Sequence, residues 1–155
     1  MTSPLHSDFL AFLPAVIERL NTVKEIKKVL TAHELSNLDT GKSIAPLDGC
    51  VYVILDGFTP ANEAGKGKNQ AMDITFSVIL AKQHYNKMGV GDIGETLTAI
   101  AKSLIGFKPA DPTSPKLALT TSPIYLDKGA SVLYQQGFAL YPLRFKTQTV
   151  IISDN

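Results

Sequence analysis

The stretch that decides the fold is MDITFSVILAKQ, residues 72–83, in which apolar and polar side chains alternate. One face carries the apolar residues Met72, Ile74, Phe76, Val78 and Leu80. The other carries Asp73, Thr75 and Ser77. Because successive side chains of a strand point to opposite faces, this pattern predicts a sheet with one covered apolar face and one polar face. The polar face meets either water or a neighbouring molecule.

Other segments predict the partners of this strand. The run CVYVILDGF, residues 50–58, is rich in β-branched and aromatic residues and predicts a buried strand that forms a hairpin with the alternating stretch. The segment 131–152 also alternates, and Pro142 within it indicates an edge strand or a bulge, because proline cannot donate to a ladder. Residues 24–32 fit either helical spacing or a short strand over 27–32, and we favour the strand.

Two amphipathic helices are expected. Apolar residues recur at three- and four-residue spacing over residues 5–21, where Pro14 predicts a kink or break near Leu13. The segment DIGETLTAIAKSLIGF, residues 92–107, predicts the stronger helix, with Asp92 as its N-cap. The element order favours an α+β fold, with a mainly antiparallel sheet of about four to five strands and both main helices on one face.

Length and composition favour a single domain over residues 1–155, since a chain of this length buries roughly 70% of its unfolded surface. Residues 58–71 are expected to form a long hairpin loop and residues 108–116 a proline-rich loop. Charged residues make up only 19% of the chain, which suggests that some apolar surface lies against a partner. The formal net charge of +1 provides no general field for nucleic acid or acidic lipid.

No targeting signal is recognised. The N-terminal stretch lacks a basic region and carries Asp8 and Glu18 within its apolar part, unlike a signal peptide. No run approaches the roughly 18 apolar residues of a membrane span. We therefore expect a protein kept in the cytoplasm, with no membrane partner.

Short motifs give no support to a catalytic or cofactor site. The tetrapeptide 40–43, TGKS, matches only the end of a P-loop, because Ser36 replaces the required glycine and Pro46 stands where the helix should begin. The three histidines lack metal-binding spacing. Cys50, the one cysteine, lies in an apolar run and is interpreted as a core residue. We predict no catalytic residue, no metal ligand and no cofactor.

The loop NEAGKGKNQ, residues 62–70, holds two glycines and two lysines within four positions. A phosphate-binding loop would lead from a strand into a helix, whereas this one lies between two predicted strands. Two interpretations stay open: a solvated hairpin tip, or an arm that becomes ordered on a partner.

The segments that together carry a family resemblance are FLPAVIERL, LDGCVYVILDGF, MDITFSVILAKQ, GDIGETLTAIAKSLIGF and YPLRFKTQTVI. In order and apolar pattern they resemble the tail terminator proteins of tailed bacteriophages and prophages, particularly the Mu-like prophage tail protein group. The resemblance covers nearly the whole chain and includes no catalytic signature. It implies an α+β subunit that closes into a hexameric ring on the finished tail tube, stops tube polymerisation and presents a surface to the head connector.

The resemblance also implies partners and a location. The partners are further copies of the chain, the tail tube protein and a head connector or neck protein, with DNA only passing through the ring lumen. The location is the head-proximal end of the virion tail, after assembly in the host bacterial cytoplasm. The candidate contacts to the tube or to an adjacent subunit are Glu63, Lys66, Lys68, Tyr141, Pro142 and Arg144. Deleting residues 63–69 is expected to weaken tube binding.

Three alternatives stay open from the sequence. A head-closure or neck protein of the same virion is expected to have a similar composition. A small enzyme could use Asp73, Thr75 and Ser77 on the polar sheet face, although no activity is indicated. A host interaction module is the third.

Overall fold

A computed structural model describes residues 4–31, 48–61, 68–83, 89–135 and 137–154. Its first elements are a 3₁₀ turn (Pro4–His6), α1 (Leu13–Leu20), β1 (Val29–Thr31), β2 (Val51–Pro60), β3 (Asn69–Gln83) and α2 (Gly89–Leu104). The remaining elements are β4 (Ala110–Asp111), β5 (Ser114–Ala118), β6 (Tyr125–Leu126), β7 (Leu133–Gln135) and β8 (Phe138–Ile152). The fold is α+β, with two helices and a mostly antiparallel sheet, as predicted.

The sheet is built around one long antiparallel pair. β3 and β8 each contain 15 residues and pair over their whole length, from Asn69 opposite Ile152 to Gln83 opposite Phe138. The strand order is β1-β2-β3-β8-β6, and β7 also pairs with β8. These six described strands exceed the four to five predicted, because the short strands β6 and β7 both attach to β8. β1 runs parallel to β2, and its position confirms the strand favoured over 27–32.

The hairpin between β2 and β3 has longer strands than predicted. β2 continues to Pro60 and β3 begins at Asn69, so both enter the predicted loop 58–71. The amide of Ala61 also donates to the carbonyl of Ala71 at 2.9 Å. The strands extend because cross-strand backbone bonds continue through polar residues that sequence patterns assign to a loop.

The proline-rich segment 108–116 was predicted to be a loop, yet it contains β4 and the start of β5, which form a separate hairpin. The carboxylate of Asp111 accepts hydrogen bonds from the amide and the hydroxyl of Thr113, at 3.0 and 2.9 Å. Such a side-chain bond two residues along the chain fixes a tight turn. Pro112 therefore lies within the turn, between the paired residues Asp111 and Ser114, and does not prevent strand pairing.

The main core fills the space between the sheet and the two helices. Phe76 lies at its centre, with ring centroids 5.8 Å from Phe12 and 5.5 Å from Phe145. α1 contributes Val16 and Leu20, and α2 contributes Ile100 and Leu104. All five apolar residues of the alternating stretch are buried in this core, which confirms the predicted apolar face: Met72, Ile74, Phe76, Val78 and Leu80.

The helix boundaries confirm one prediction and correct another. Pro14 lies in the first turn of α1, where its missing N–H costs no helical bond, so the break predicted near Leu13 is confirmed. α2 begins at Gly89, three residues before Asp92, and the predicted N-cap at Asp92 is therefore wrong. The prediction used side-chain preference alone, whereas packing of the whole helix can draw glycines into its first turn. Within the described residues, no helix has the length and hydropathy needed to span a membrane.

The second face of the sheet is not uniformly polar. One end of it holds a smaller buried cluster formed by Leu30, Cys50, Tyr52, Ala81, Phe138 and Leu140. Cys50 is buried here, as predicted, and burial raises the pKa of its thiol even though Lys27 and Lys28 lower it. A raised pKa disfavours the nucleophilic thiolate, so the thiol acts as a small apolar side chain.

Replacing Phe76 with alanine tests the core assignment. Because Phe76 is fully buried between two other rings, Phe76→Ala is expected to lower the free energy of unfolding by about 3–5 kcal/mol. Phe58→Ala is the matched control, since Phe58 is 51% exposed, and a loss under about 1.5 kcal/mol is expected there. Urea unfolding measures both, and equal losses would contradict the assignment.

Candidate functional site

A row of polar side chains crosses the second face of the sheet on β2, β3 and β8. Ser77 of β3 pairs with Arg144 of β8, so these side chains share a face. The register of β2 and β3 shifts between Leu55 and Gly57, which makes Asp56 the extra residue of a β-bulge. Ile54 pairs with Ser77, so alternation along β2 places Asp56 on the same face as Ser77, where its carboxylate accepts the Ser77 hydroxyl.

Two contacts of unequal strength join this polar row. The Ser77 hydroxyl donates to Oδ2 of Asp56 at 2.5 Å, and Ser77 is buried. Nε of Arg144 lies 3.6 Å from the same oxygen, in an ion pair whose side chains are 38% and 27% exposed. A hydrogen bond to a charged group contributes about 1.5–3 kcal/mol, less where the carboxylate is partly exposed as here, whereas a partly solvated ion pair contributes about 0.2–1 kcal/mol. The Ser77–Asp56 hydrogen bond is therefore expected to contribute more to stability than the Arg144–Asp56 ion pair.

Asp73 and Thr75, the other two polar residues predicted on this face of β3, also make cross-strand bonds. The Thr75 hydroxyl donates to the carbonyl of Gly57 at 3.3 Å. The Gln148 side-chain amide donates to Oδ1 of Asp73 at 3.1 Å. Across the described part of the chain, no cluster of three or more His, Cys, Asp or Glu residues could hold a metal ion. The polar face thus provides bonds that fix strand register.

Among the predicted contact residues that the structure describes, Lys68 lies far from Tyr141, Pro142 and Arg144. Glu63 and Lys66 lie outside the described residues. Lys68 is exposed just before β3, and its carbonyl accepts a hydrogen bond from Ser153 at 2.9 Å. Tyr141 lies opposite Leu80 near the other end of the ladder, roughly 40 Å away at about 3.3 Å per residue. Lys68 and Tyr141 therefore belong to different surfaces.

Tyr141 and Arg144 also point to opposite faces of the sheet. Tyr141 packs against the main core on the helix side, while Arg144 belongs to the polar row. Burial raises the pKa of the Tyr141 phenol, with a further increase from Tyr134 and an opposing effect of Lys82. The phenol is thus a neutral, half-buried group.

The sequence predicted an edge strand or a bulge at Pro142, whereas β8 as a whole is an interior strand and pairs with β3 without a register shift. β3 pairs with β8 on one side, and β6 and β7 pair with it on the other. On that outer side, β7 reaches Leu140 and β6 reaches Phe145. Among the described residues, no strand covers the short gap between these two positions.

Pro142 lies in this gap, so its missing N–H removes no backbone hydrogen bond of the described sheet. The carbonyl oxygens of Arg144 and Gln148 accept outer-side hydrogen bonds from the amides of Asp127 (2.8 Å) and Thr121 (2.7 Å). Alternate residues of a strand direct their backbone groups to the same side, so the nitrogen of Pro142 also faces outward. Pro142, which cannot donate a backbone hydrogen bond to a β-ladder, thus lies where the outer side of β8 has no described strand partner.

Sequence reasoning missed an exposed apolar surface along β6, β7 and the segment joining them. Its side chains, which we call the outer rim, are Tyr125, Leu126, Val132, Leu133 and Tyr134, with exposed fractions between 39% and 64%. Leu126 and Tyr134 lie on the helix side of the sheet, and Tyr125 and Leu133 lie on the other side. The outer rim therefore wraps around one edge of the sheet.

An open cleft of about 520 Å³ separates α1 from the β4–β5 hairpin. Arg19 lies beside it, 4.7 Å above the Phe107 ring, and its Nε donates to the carbonyl of Ser103 at 3.1 Å. The cleft contains both charges and prolines, with Glu18, Lys108 and Pro112 among its walls. Since Arg19 is held by contacts within the chain, its position is explained by the attachment of α1 to α2.

A double-mutant cycle separates the two contacts of the polar row. Combining Asp56→Ala with Ser77→Ala is expected to give a coupling free energy of about 1.5 kcal/mol, and combining Asp56→Ala with Arg144→Ala under about 1 kcal/mol. Salt is expected to reduce only the second coupling. Asp73→Ala with Ser77→Ala is the control, because their side chains are in separate bonds and a coupling near zero is expected. A larger coupling for Arg144 than for Ser77 would contradict this ranking.

Comparisons with known proteins identify the family. A family model described as "Phage tail terminator protein" matches residues 6–155, in agreement with the resemblance seen in the sequence. A solved chain from "Virion of native gene transfer agent (GTA) particle" is similar, with 16% identity, a TM-score of 0.45, and coverage of 96% of this chain and 95% of that chain. No curated protein gives a significant match. Because the family model spans nearly the whole chain, the protein belongs to the phage tail terminator family.

Proposed function

We propose that this protein caps the phage tail tube as a ring of six copies, stops tube polymerisation and forms the surface that joins the tail to the head. The observation that carries the proposal is the family match over residues 6–155. Membership of this family supports a structural role in the virion tail and implies a non-enzymatic protein. The ring, the cap and the joining surface are the finer steps that we propose.

The surface of the subunit is compatible with assembly into a ring. A cyclic ring uses head-to-tail contacts, so each subunit must offer two different surfaces. The outer rim is one exposed apolar surface, and exposed apolar patches commonly mark interaction sites. The paired strands β3 and β8 form a stiff support on which such surfaces keep a fixed relative position.

The proposed partners and location follow from this role. The ring contacts the tail tube protein on one side and a head connector or neck protein on the other, at the head-proximal end of the tail. Assembly takes place in the host bacterial cytoplasm, from a subunit that folds as a single domain. DNA passes through the lumen, and the net charge of +1 favours weak contact with phosphates.

The segment between β2 and β3 is a proposed contact arm toward the tube or an adjacent subunit. It carries Glu63, Lys66 and Lys68, and charges at the rim of an interface mainly affect the rate of association. Shortening the arm by residues 63–67 retains the bond between the Lys68 carbonyl and the Ser153 amide. This deletion is therefore preferable to removing residues 63–69, because it spares the first pair of the β3–β8 ladder.

Tube assembly in vitro tests the proposed cap. Purified tube protein is polymerised with and without this chain, and tube lengths are measured by electron microscopy. Added protein is expected to stop growth and shorten the mean tube length as its concentration rises, because a capped end accepts no further tube subunits. The variant lacking residues 63–67 is expected to need a higher concentration, particularly at low salt, where the charges of the unmodified arm are least screened.

Capture of binding partners provides the control for this experiment. Tube lengths that do not change, together with binding to a portal or adaptor protein, would contradict the tail cap and favour a head-closure protein. The Ala118→Asp variant is a suitable surface control, since Ala118 is exposed on the separate β4–β5 hairpin. It is expected to shorten tubes as effectively as the unmodified chain.

A further inference from the structure

A second exposed surface lies on the side of the sheet opposite the outer rim. β1 pairs only with Val51, Tyr52 and Val53, so among the described residues β2 is paired from Ile54 onward by β3 alone. Residues 56–60 of this strand, which we call the β2 edge, include Phe58 with 51% of its surface exposed. The sheet thus has an exposed apolar surface at each of two opposite edges.

The β2 edge has features that limit strand-to-strand aggregation. Asp56 forms a bulge, and Pro60 ends the strand. Bulges and prolines are common at sheet edges because both interrupt open-ended backbone pairing. Phe58 stays available for side-chain packing, since its ring makes an edge contact with Phe9 at 5.3 Å and leaves much of its surface uncovered.

One subunit cannot bring these two surfaces into contact with each other. β3 and β8 lie between β2 and β6, which corresponds to three strand spacings or about 14 Å. The two surfaces can meet only when they belong to different copies. Repetition of such a contact gives a head-to-tail series, which forms a ring if the rotation between copies closes.

We infer that the outer rim of one copy packs against the β2 edge of the next copy. This inference rests on the ring proposed above and assigns its subunit contact. The five side chains of the outer rim expose on the order of 500 Å², a large part of the roughly 800 Å² per partner in a stable interface. The neighbouring charges, Asp127 and Lys128, balance each other, which suits an apolar protein surface better than nucleic acid.

Complementation between two variants tests the contact. Leu133→Asp places a charge in the outer rim, and Phe58→Asp places one in the β2 edge. Each variant alone is expected to self-associate at least about tenfold more weakly than the unmodified chain, measured by sedimentation. An equal mixture is expected to form a dimer and no larger species, because each variant retains the surface that the other has lost. Ala118→Asp is the matched control and is expected to associate normally.

Each other outcome overturns the inference. If Leu133→Asp fails to associate while Phe58→Asp associates normally, the outer rim binds a second outer rim or another surface. If both variants associate normally but Leu133→Asp no longer shortens tail tubes, the outer rim contacts the tube. An unmodified chain that is monomeric at high concentration also overturns it, while tube capping is judged separately by tube length. The dimer in the mixture also shows that both variants are folded.

Discussion

The antiparallel pairing of β3 with β8 is the constraint on which the rest of the structure depends. Every residue of both strands takes part in one uninterrupted register. β2 is added to one side of this pair, and β6 and β7 to the other. A slip of one residue would exchange faces along an entire strand, so that Ser77 in place of Phe76 would point into the core. The same register therefore fixes the apolar core and the polar row together.

The contacts that stabilise the fold lie on the two faces of the sheet, whereas the outer rim and Phe58 lie at its edges. The helix side of the sheet buries three aromatic rings, and the polar side ties β2, β3 and β8 through Asp56, Ser77 and Arg144. The outer rim and Phe58 place exposed apolar side chains at two edges of the sheet. A sheet with a continuously paired centre and exposed apolar side chains at its edges is physically compatible with a structural role in the virion tail.

The sequence predicted the elements that have strong local signals. Alternation over residues 72–83 identified the buried face, and Pro14 marked the start of α1 because proline restricts the backbone wherever it occurs. β6 and β7 contain two and three residues, too few for alternation to be visible, and they form through pairing with β8. The proline-rich hairpin was missed because the Asp111 turn outweighs the local preference for loop.

The candidate site was less predictable than the fold. Charge and loop composition selected Lys68 and Arg144, but strand register separates them, and register depends on partners distant in sequence. The bulge at Asp56 has no signature in a single strand, since a bulge is defined by two strands. The outer rim was missed because apolar residues in short segments give no sign of whether they will be buried.

Electron microscopy of tail tubes mixed with this protein tests the proposal that a tail terminator of this fold acts as a ring on the end of the tube. Image averages are expected to show added density with sixfold symmetry at one end of each tube and none along its sides. Density along the tube wall, another symmetry at the tip, or tubes with unchanged ends would contradict the proposal.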